Sequence, residues 1–162
     1  MIRFFAILIW PCLEKMGYTH VMRMDDDSFI HSRIEYNIFD YMRENGRIYG
    51  FRQPVRDSAV GKGYDIVVKD YLKAHPNSTT HELIDQYNNI SKRVGFYNNF
   101  FVAEISFFTN EPVKSLLKAI DESKLIYTER TGDLVIHSTV VRLFAQSEQI
   151  QWFRDFTYEH SE

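Results

Sequence analysis

Apolar residues recur along the chain with two different periods, and the alternation between them predicts a layered α/β domain with a mixed sheet flanked by helices. Residues 3–16 read as a helix interrupted at Pro11, and residues 18–24 alternate near period two and predict a strand. That strand runs directly into Asp25, Asp26 and Asp27. A helix over residues 38–44 is stopped by Asn45 and Gly46, and a strand follows over 47–51. Residues 52–63 are polar and glycine-containing, which predicts a loop. Ile66, Val67, Tyr71 and Ala74 give helical spacing over 64–74, ended by His75 and Pro76. Residues 99–108 are almost wholly apolar and predict a buried strand with Glu104 as its one charge. After Pro112 a helix should carry Leu116, Leu117 and Ile120, residues 133–144 read as a helix, and 150–153 as a last short strand. No repeat or Gly/Ser linker divides the sequence, so residues 1–162 are expected to form a single domain.

Composition narrows the chemistry. With 44% hydrophobic residues the chain can bury a core, and 19 basic against 22 acidic residues leave a formal charge of -3, which offers no general attraction to nucleic acid or anionic lipid. Cys12 is the only cysteine, so an internal disulfide and a thiolate metal cage are excluded. The apolar run from Phe4 to Trp10 is too short to span a bilayer, and no small-residue cleavage site follows it. Two N-x-[ST] sequons, at Asn77 and Asn89, are compatible with a secretory-pathway protein.

The sharpest local feature is the acid triplet. Adjacent carboxylates repel, so a folded chain keeps three of them at a sheet edge mainly where a cation or hydrogen-bond donors offset the charge. Asp25 and Asp27 point the same way from an extended segment, which suits a divalent metal on one side. A second feature is the pair Asp133 and His137, four apart and on one face of the expected helix. A neutral His137 could complete an oxygen-rich site of the kind that suits Mn²⁺; read alone, a single histidine in an apolar helix is more often a satisfied core residue.

Four ordered segments resemble the fungal glycolipid and glycoprotein alpha-1,2-mannosyltransferases. They are His20-Val21-Met22-Arg23-Met24-Asp25-Asp26-Asp27, Ile48-Tyr49-Gly50-Phe51, Asn99-Phe100-Phe101-Val102 with Phe107-Phe108, and Glu129-Arg130-Thr131-Gly132-Asp133 with His137-Ser138. The resemblance implies a GT-A-like fold and a retaining, metal-dependent transfer of mannose from GDP-mannose to a mannoside on a protein or lipid glycan. It implies metal ligation by Asp25, Asp27 and His137 with Mn²⁺ or Mg²⁺, and donor contacts from Arg23, Asn99, Asp25 and Asp27. Glu129, Asp133 and Glu104 would line the reacting centre. Residence in the Golgi or secretory lumen is implied, with membrane attachment only through an amino-terminal anchor that these residues do not contain.

Departures from the pattern keep other readings open. Phe101 stands where the family has a glutamate proposed as nucleophile, and Thr131 and Val135 replace a tryptophan and a proline. The family's first nucleotide-binding β-α-β region has no counterpart before Met1, so GDP-fucose or a UDP-sugar remain alternative donors. An inactive glycosyltransferase-like domain and a non-catalytic glycan-binding module are the alternatives to an enzyme.

Overall fold

The computed structural model describes residues 1–56, 62–90 and 94–161. One π-helical turn, Phe4–Leu8, leads into helix α1, Ile9–Lys15. Pro11 does not interrupt this helix. Its missing N–H and its ring are accommodated because the preceding turn is widened, with the Ile9 N–H reaching back to the Phe4 carbonyl. Strand β1, His20–Met24, is followed by β2, Ser28–Ile30. Helix α2, Ile38–Glu44, is capped by the Asn37 side chain, which accepts from the Phe39 and Asp40 N–H groups.

Strands β3, Tyr49–Phe51, and β4, Pro54–Arg56, come next, then helices α3, Lys62–Ala74, and α4, His81–Asn89. The loop expected over 52–63 therefore contains a short strand, because residues 54–56 find a partner in β5, Val94–Phe96. Residues 57–61 lie outside the described residues.

Strand β6, Phe100–Glu104, ends at Glu104, and helix α5, Ile105–Thr109, takes over. This corrects the expected strand over 99–108. The run is apolar throughout and has no period of its own, and β6 ends where its partner β1 begins, with His20 opposite Glu104. The chain then turns, so that Phe108 lies face to face with Trp10 at 3.7 Å between ring centres. Helix α6, Val113–Glu122, buries Val113, Leu116, Leu117 and Ile120 on one face. A short helix α7, Leu125–Thr128, precedes α8, Asp133–Phe144, which is buried from Leu134 to Val141 and forms the centre of the larger core. Strands β7, Ile150–Trp152, and β8, Tyr158–His160, close the order.

The main sheet runs β1-β6-β3-β7, with the first two neighbouring pairs antiparallel and β3 parallel to β7. β2 pairs separately with β8. Alternation along β6 divides the core: Phe101 and Ala103 face the larger cluster with α8, while Phe100 and Val102 face a smaller one with Met42, Phe153 and Phe156. Gly50 is required on that second side, since a Cβ there would lie 2.5 Å from the Phe153 ring.

β1 lies at the sheet edge. The Asp25 N–H donates to the Asn99 carbonyl at 3.0 Å and the Ile105 N–H to the Thr19 carbonyl at 2.9 Å. Odd-numbered positions of β1 thus bond β6, and His20, Met22 and Met24 turn their backbone groups outward. The side chains of Met22 and Met24 are exposed on the same strand.

Candidate functional site

The acid triplet begins where β1 ends, so its position follows from the register: Met24 pairs with Phe100, and Asp25 stands beside Asn99. An open cavity of about 660 Å³ lies there, lined among others by Phe5, Arg23, Asp25, Asp27, Asn99 and His160. The separate β2–β8 pairing places Ser28 opposite His160 and so brings the end of the chain to the acids.

His160 Nδ1 lies 3.2 Å from an Asp27 carboxylate oxygen and 3.2 Å from the Ser28 hydroxyl, while the Asn99 amide nitrogen stands 2.7 Å from Nε2. The same amide nitrogen lies 3.2 Å from Nδ1, so Asn99 covers the His160 ring edge, and the Ser28 hydroxyl is the hydrogen-bond partner of Nδ1. Tyr158 donates to or accepts from Ser28 at 2.8 Å and tightens the same pair of strands.

Arg23 ties this cavity to α8. Its Nε donates to Asp25 at 2.9 Å, one terminal nitrogen donates to Asp133 at 2.7 Å, and the guanidinium stacks over Phe5 at 4.3 Å. Burial alone would lower the Arg23 pKa, but Asp133 and Asp25 outweigh it and hold the group above its ordinary value. Burial would likewise raise Asp133. The positive charge that His137 carries when protonated, the Arg23 guanidinium and the Asn98 amide pull its carboxyl below the usual range.

His137 is not brought to the acids. It is fully buried, its ring lies 5.3 to 5.5 Å from those of Trp10, Phe101 and Phe108, and Nε2 lies 3.1 Å from the Phe5 carbonyl. A carbonyl only accepts, so Nε2 carries the proton. Burial lowers the His137 pKa to about 4, against the opposing pull of Asp133 and the Phe5 carbonyl, so the ring is neutral at pH 7. The structure thus places His137 in the core beside α8's aromatic neighbours, while His160 lines the cavity.

Two further expected residues lie elsewhere. Glu104 sits at the opposite end of the β1–β6 pair from the acids, about 17 Å away along five strand residues, and accepts from the Ser106 hydroxyl. Glu104 does not line the acid cavity. Glu129 accepts from the Gly63 N–H at 3.2 Å, at the amino end of α3, where a carboxylate complements the helix dipole. It does not line the acid cavity. Asp133 reaches the cavity only through Arg23.

Among the described residues no group of three His, Cys, Asp or Glu side chains forms a ready metal cage. The donors that line the cavity, three carboxylates and an imidazole, nevertheless suit a hard divalent ion that keeps positions open for ligand oxygens. Among the described residues no helix is long and apolar enough to cross a membrane.

A mixed sheet flanked by helices, with its candidate site at a strand end, is the α/β arrangement expected of a GT-A-like domain. The fold matches the core-mannan synthase A from Aspergillus fumigatus in its Mn/GDP form, with a TM-score of 0.91 at 22% identity over 99% of this chain and 47% of that one. It also matches the mannosyltransferase Ktr4p from Saccharomyces cerevisiae in complex with GDP, with a TM-score of 0.86 at 25% identity over 99% of this chain and 44% of that one. Residues 1–162 match the glycolipid 2-alpha-mannosyltransferase family, and the chain belongs to it. Relatives include the probable mannosyltransferase KTR4 of Saccharomyces cerevisiae, 27% identical over 93% of this chain and 35% of its own length. Glycolipid 2-alpha-mannosyltransferase 2 of Candida albicans is 27% identical over 99% of this chain and 36% of its own length. The chain thus spans little more than a third of these two relatives.

Proposed function

We propose that the chain is the metal- and donor-binding portion of a retaining mannosyltransferase that uses GDP-mannose and Mn²⁺ or Mg²⁺ to extend a mannoside on a protein or lipid glycan. The observation that carries this reading is the convergence of Asp25, Asp27 and His160 on one cavity at a strand end. Solved structures of the same fold include a Mn/GDP form and a GDP complex, which supports the reading.

In this reading Asp25 and His160 Nε2 hold the ion, with Asp27 close beside the ring and the Ser28 hydroxyl bonded to Nδ1. A bound ion would offset the negative charge that grows on a departing diphosphate. Arg23 fixes the Asp25 carboxylate and adds a second positive charge, and Asp133 holds Arg23 in place from the start of α8. Asn99 both positions Asp25 through its carbonyl and covers His160 Nε2 with its amide until a ligand displaces it. Phe101 presents no nucleophilic atom to the cavity, so a covalent route through that position is closed. Direct delivery of the acceptor hydroxyl on the face of the departing phosphate fits this wall. Residence in the secretory lumen belongs to the same proposal: Asn77 and Asn89 are exposed, and a mass loss on enzymatic deglycosylation of the native protein would support it.

Thermal melting with Mn²⁺ tests the site. The ion should raise the Tm of the wild-type chain and leave His160→Ala unmoved; a wild-type response in His160→Ala refutes the ligand assignment. GDP release from GDP-mannose with a mannoside acceptor tests the activity. Phe101 at the family's glutamate position favours a second reading, a domain that binds metal and nucleotide without turnover. A retained Mn²⁺ response with no GDP release selects that reading.

A further inference from the structure

His160 reaches the acid cavity on a ribbon of its own. β2 and β8 form a separate two-stranded sheet, and their register sets Ser28 opposite His160 and Ile30 opposite Tyr158. Ser28 directly follows the acid triplet and is buried. Its hydroxyl lies 3.2 Å from His160 Nδ1 and 2.8 Å from the Tyr158 phenol oxygen, so one buried oxygen joins the imidazole to a tyrosine two residues before it. The Tyr158 ring is held in turn against the smaller core cluster, its centre 5.7 Å from that of Phe100. Tyr97, edge to face with the imidazole at 5.5 Å, and the Asn99 amide confine the same ring.

The chemistry of these groups decides where the imidazole proton sits. A tyrosine phenol keeps its proton at pH 7 and can donate it to the Ser28 oxygen. The Asp27 carboxylate lies 3.2 Å from Nδ1, and an anion at that distance favours a ring nitrogen that carries hydrogen over one that presents a lone pair. With hydrogen on Nδ1 directed at the Ser28 oxygen, the lone pair of the neutral ring is on Nε2. Ser28 is only 5% exposed, so solvent offers no ready substitute for its hydroxyl.

We infer that Ser28 and Tyr158 are positioning residues of the acid cavity: their hydroxyl pair holds the His160 proton on Nδ1 and so presents a bare Nε2 to a divalent cation. The cation half of this inference rests on the metal-binding reading above, and the proton half on the ribbon alone. Neither hydroxyl touches the cation. A purely structural role, in which the two hydroxyls only fasten the strands, has its own comparison within the ribbon. His31 and Glu159 pin the same strands from the exposed side, 2.8 Å apart, with no contact to the His160 ring.

The 162-residue chain carrying isotope-labelled histidine would be followed by NMR of the ring nitrogens without metal, and its Mn²⁺ affinity by electron paramagnetic resonance of the free ion. In the wild type, hydrogen should reside on His160 Nδ1. Ser28→Ala should shift it toward Nε2 and weaken Mn²⁺ binding about tenfold, the low end of what losing a partner behind a metal-bound histidine costs. Tyr158→Phe keeps the ring against Phe100 and should act in the same direction to a smaller degree, while His31→Ala should change neither measurement. The inference is overturned if the wild-type ring carries hydrogen on Nε2, if Ser28→Ala leaves the ring nitrogens unchanged, or if His31→Ala reproduces the effects of Ser28→Ala. A wild-type chain that ignores Mn²⁺ while its ring nitrogens respond as expected refutes the metal-binding reading and supports the proton placement.

Discussion

The buried imidazole of His137 makes the protein acid-sensitive in a way that can be worked out in advance. Its folded pKa, about 4, lies below the ordinary value of 6.5, so the unfolded chain binds the extra proton first as pH falls. The stabilisation is complete above pH 6.5 and is lost progressively down to about pH 4. The linkage integral gives a loss on the order of 2 kcal/mol by pH 5 and about 3 kcal/mol at pH 4. His137→Leu removes this proton and also orphans the Phe5 carbonyl, a cost of about 1–3 kcal/mol that does not vary with pH. Wild type should therefore be the more stable at pH 7 and the leucine variant at pH 4, with the two urea-derived stability curves crossing at an acidic pH between them. Parallel curves would refute the reasoning, as would an imidazole that titrates near its ordinary pKa by NMR.

Other perturbations have equally definite outcomes. Arg23→Met leaves Asp133 partly buried beside a neutral side chain; discounted for the remaining solvent exposure, the loss should be about 2–3 kcal/mol at pH 7, or roughly 4–12 °C in Tm. Because Asp133 is held below its ordinary pKa in the wild type, that stabilisation is present above the unfolded carboxyl pKa and fades as pH falls through the folded one, so the penalty of the variant should shrink in acid. Gly50→Ala drives a methyl group into Phe153 and should cost about 1–3 kcal/mol by urea unfolding, with Phe153→Leu in the same chain restoring part of it. Thr80→Ala removes the side-chain acceptor for the Leu83 N–H at the start of α4 and should cost about 1 kcal/mol in the same assay.

The parts of the fold that the sequence announces are those with a clean period. Helices α2 and α6 and strand β1 have side chains that sort by face, and their predicted places, like that of the apolar and almost wholly buried α8, are close to those observed. The passage from β6 into α5 is invisible because 99–108 is apolar on every side, and only the length of β1 decides where the strand stops. The short pairs β2–β8 and β4–β5 depend on partners far along the chain, and α4 lies in a polar stretch that gives a weak apolar stripe.

The same contrast governs the site. The acids can be read directly, since three adjacent carboxylates after a strand demand an explanation. His160 cannot, because it lies in the polar stretch Thr157-Tyr158-Glu159-His160 and reaches the acids only through a strand pairing with Ser28. The alternation of Tyr158 and His160 on one side of a short extended segment is the signal that could have found it. His137 drew attention instead by its helical spacing from Asp133, a spacing that a histidine in the middle of a wholly buried helix shares.

The outward-facing backbone of β1 has a practical consequence for anyone handling the chain. Among the described residues His20, Met22 and Met24 present a row of backbone donors and acceptors with no strand partner, flanked by exposed methionines, which is a template on which another extended segment can add itself. Two chains meeting edge to edge would pair through it, so concentrated samples will tend to associate, and a single lysine placed at Met22 would discourage that without touching either core.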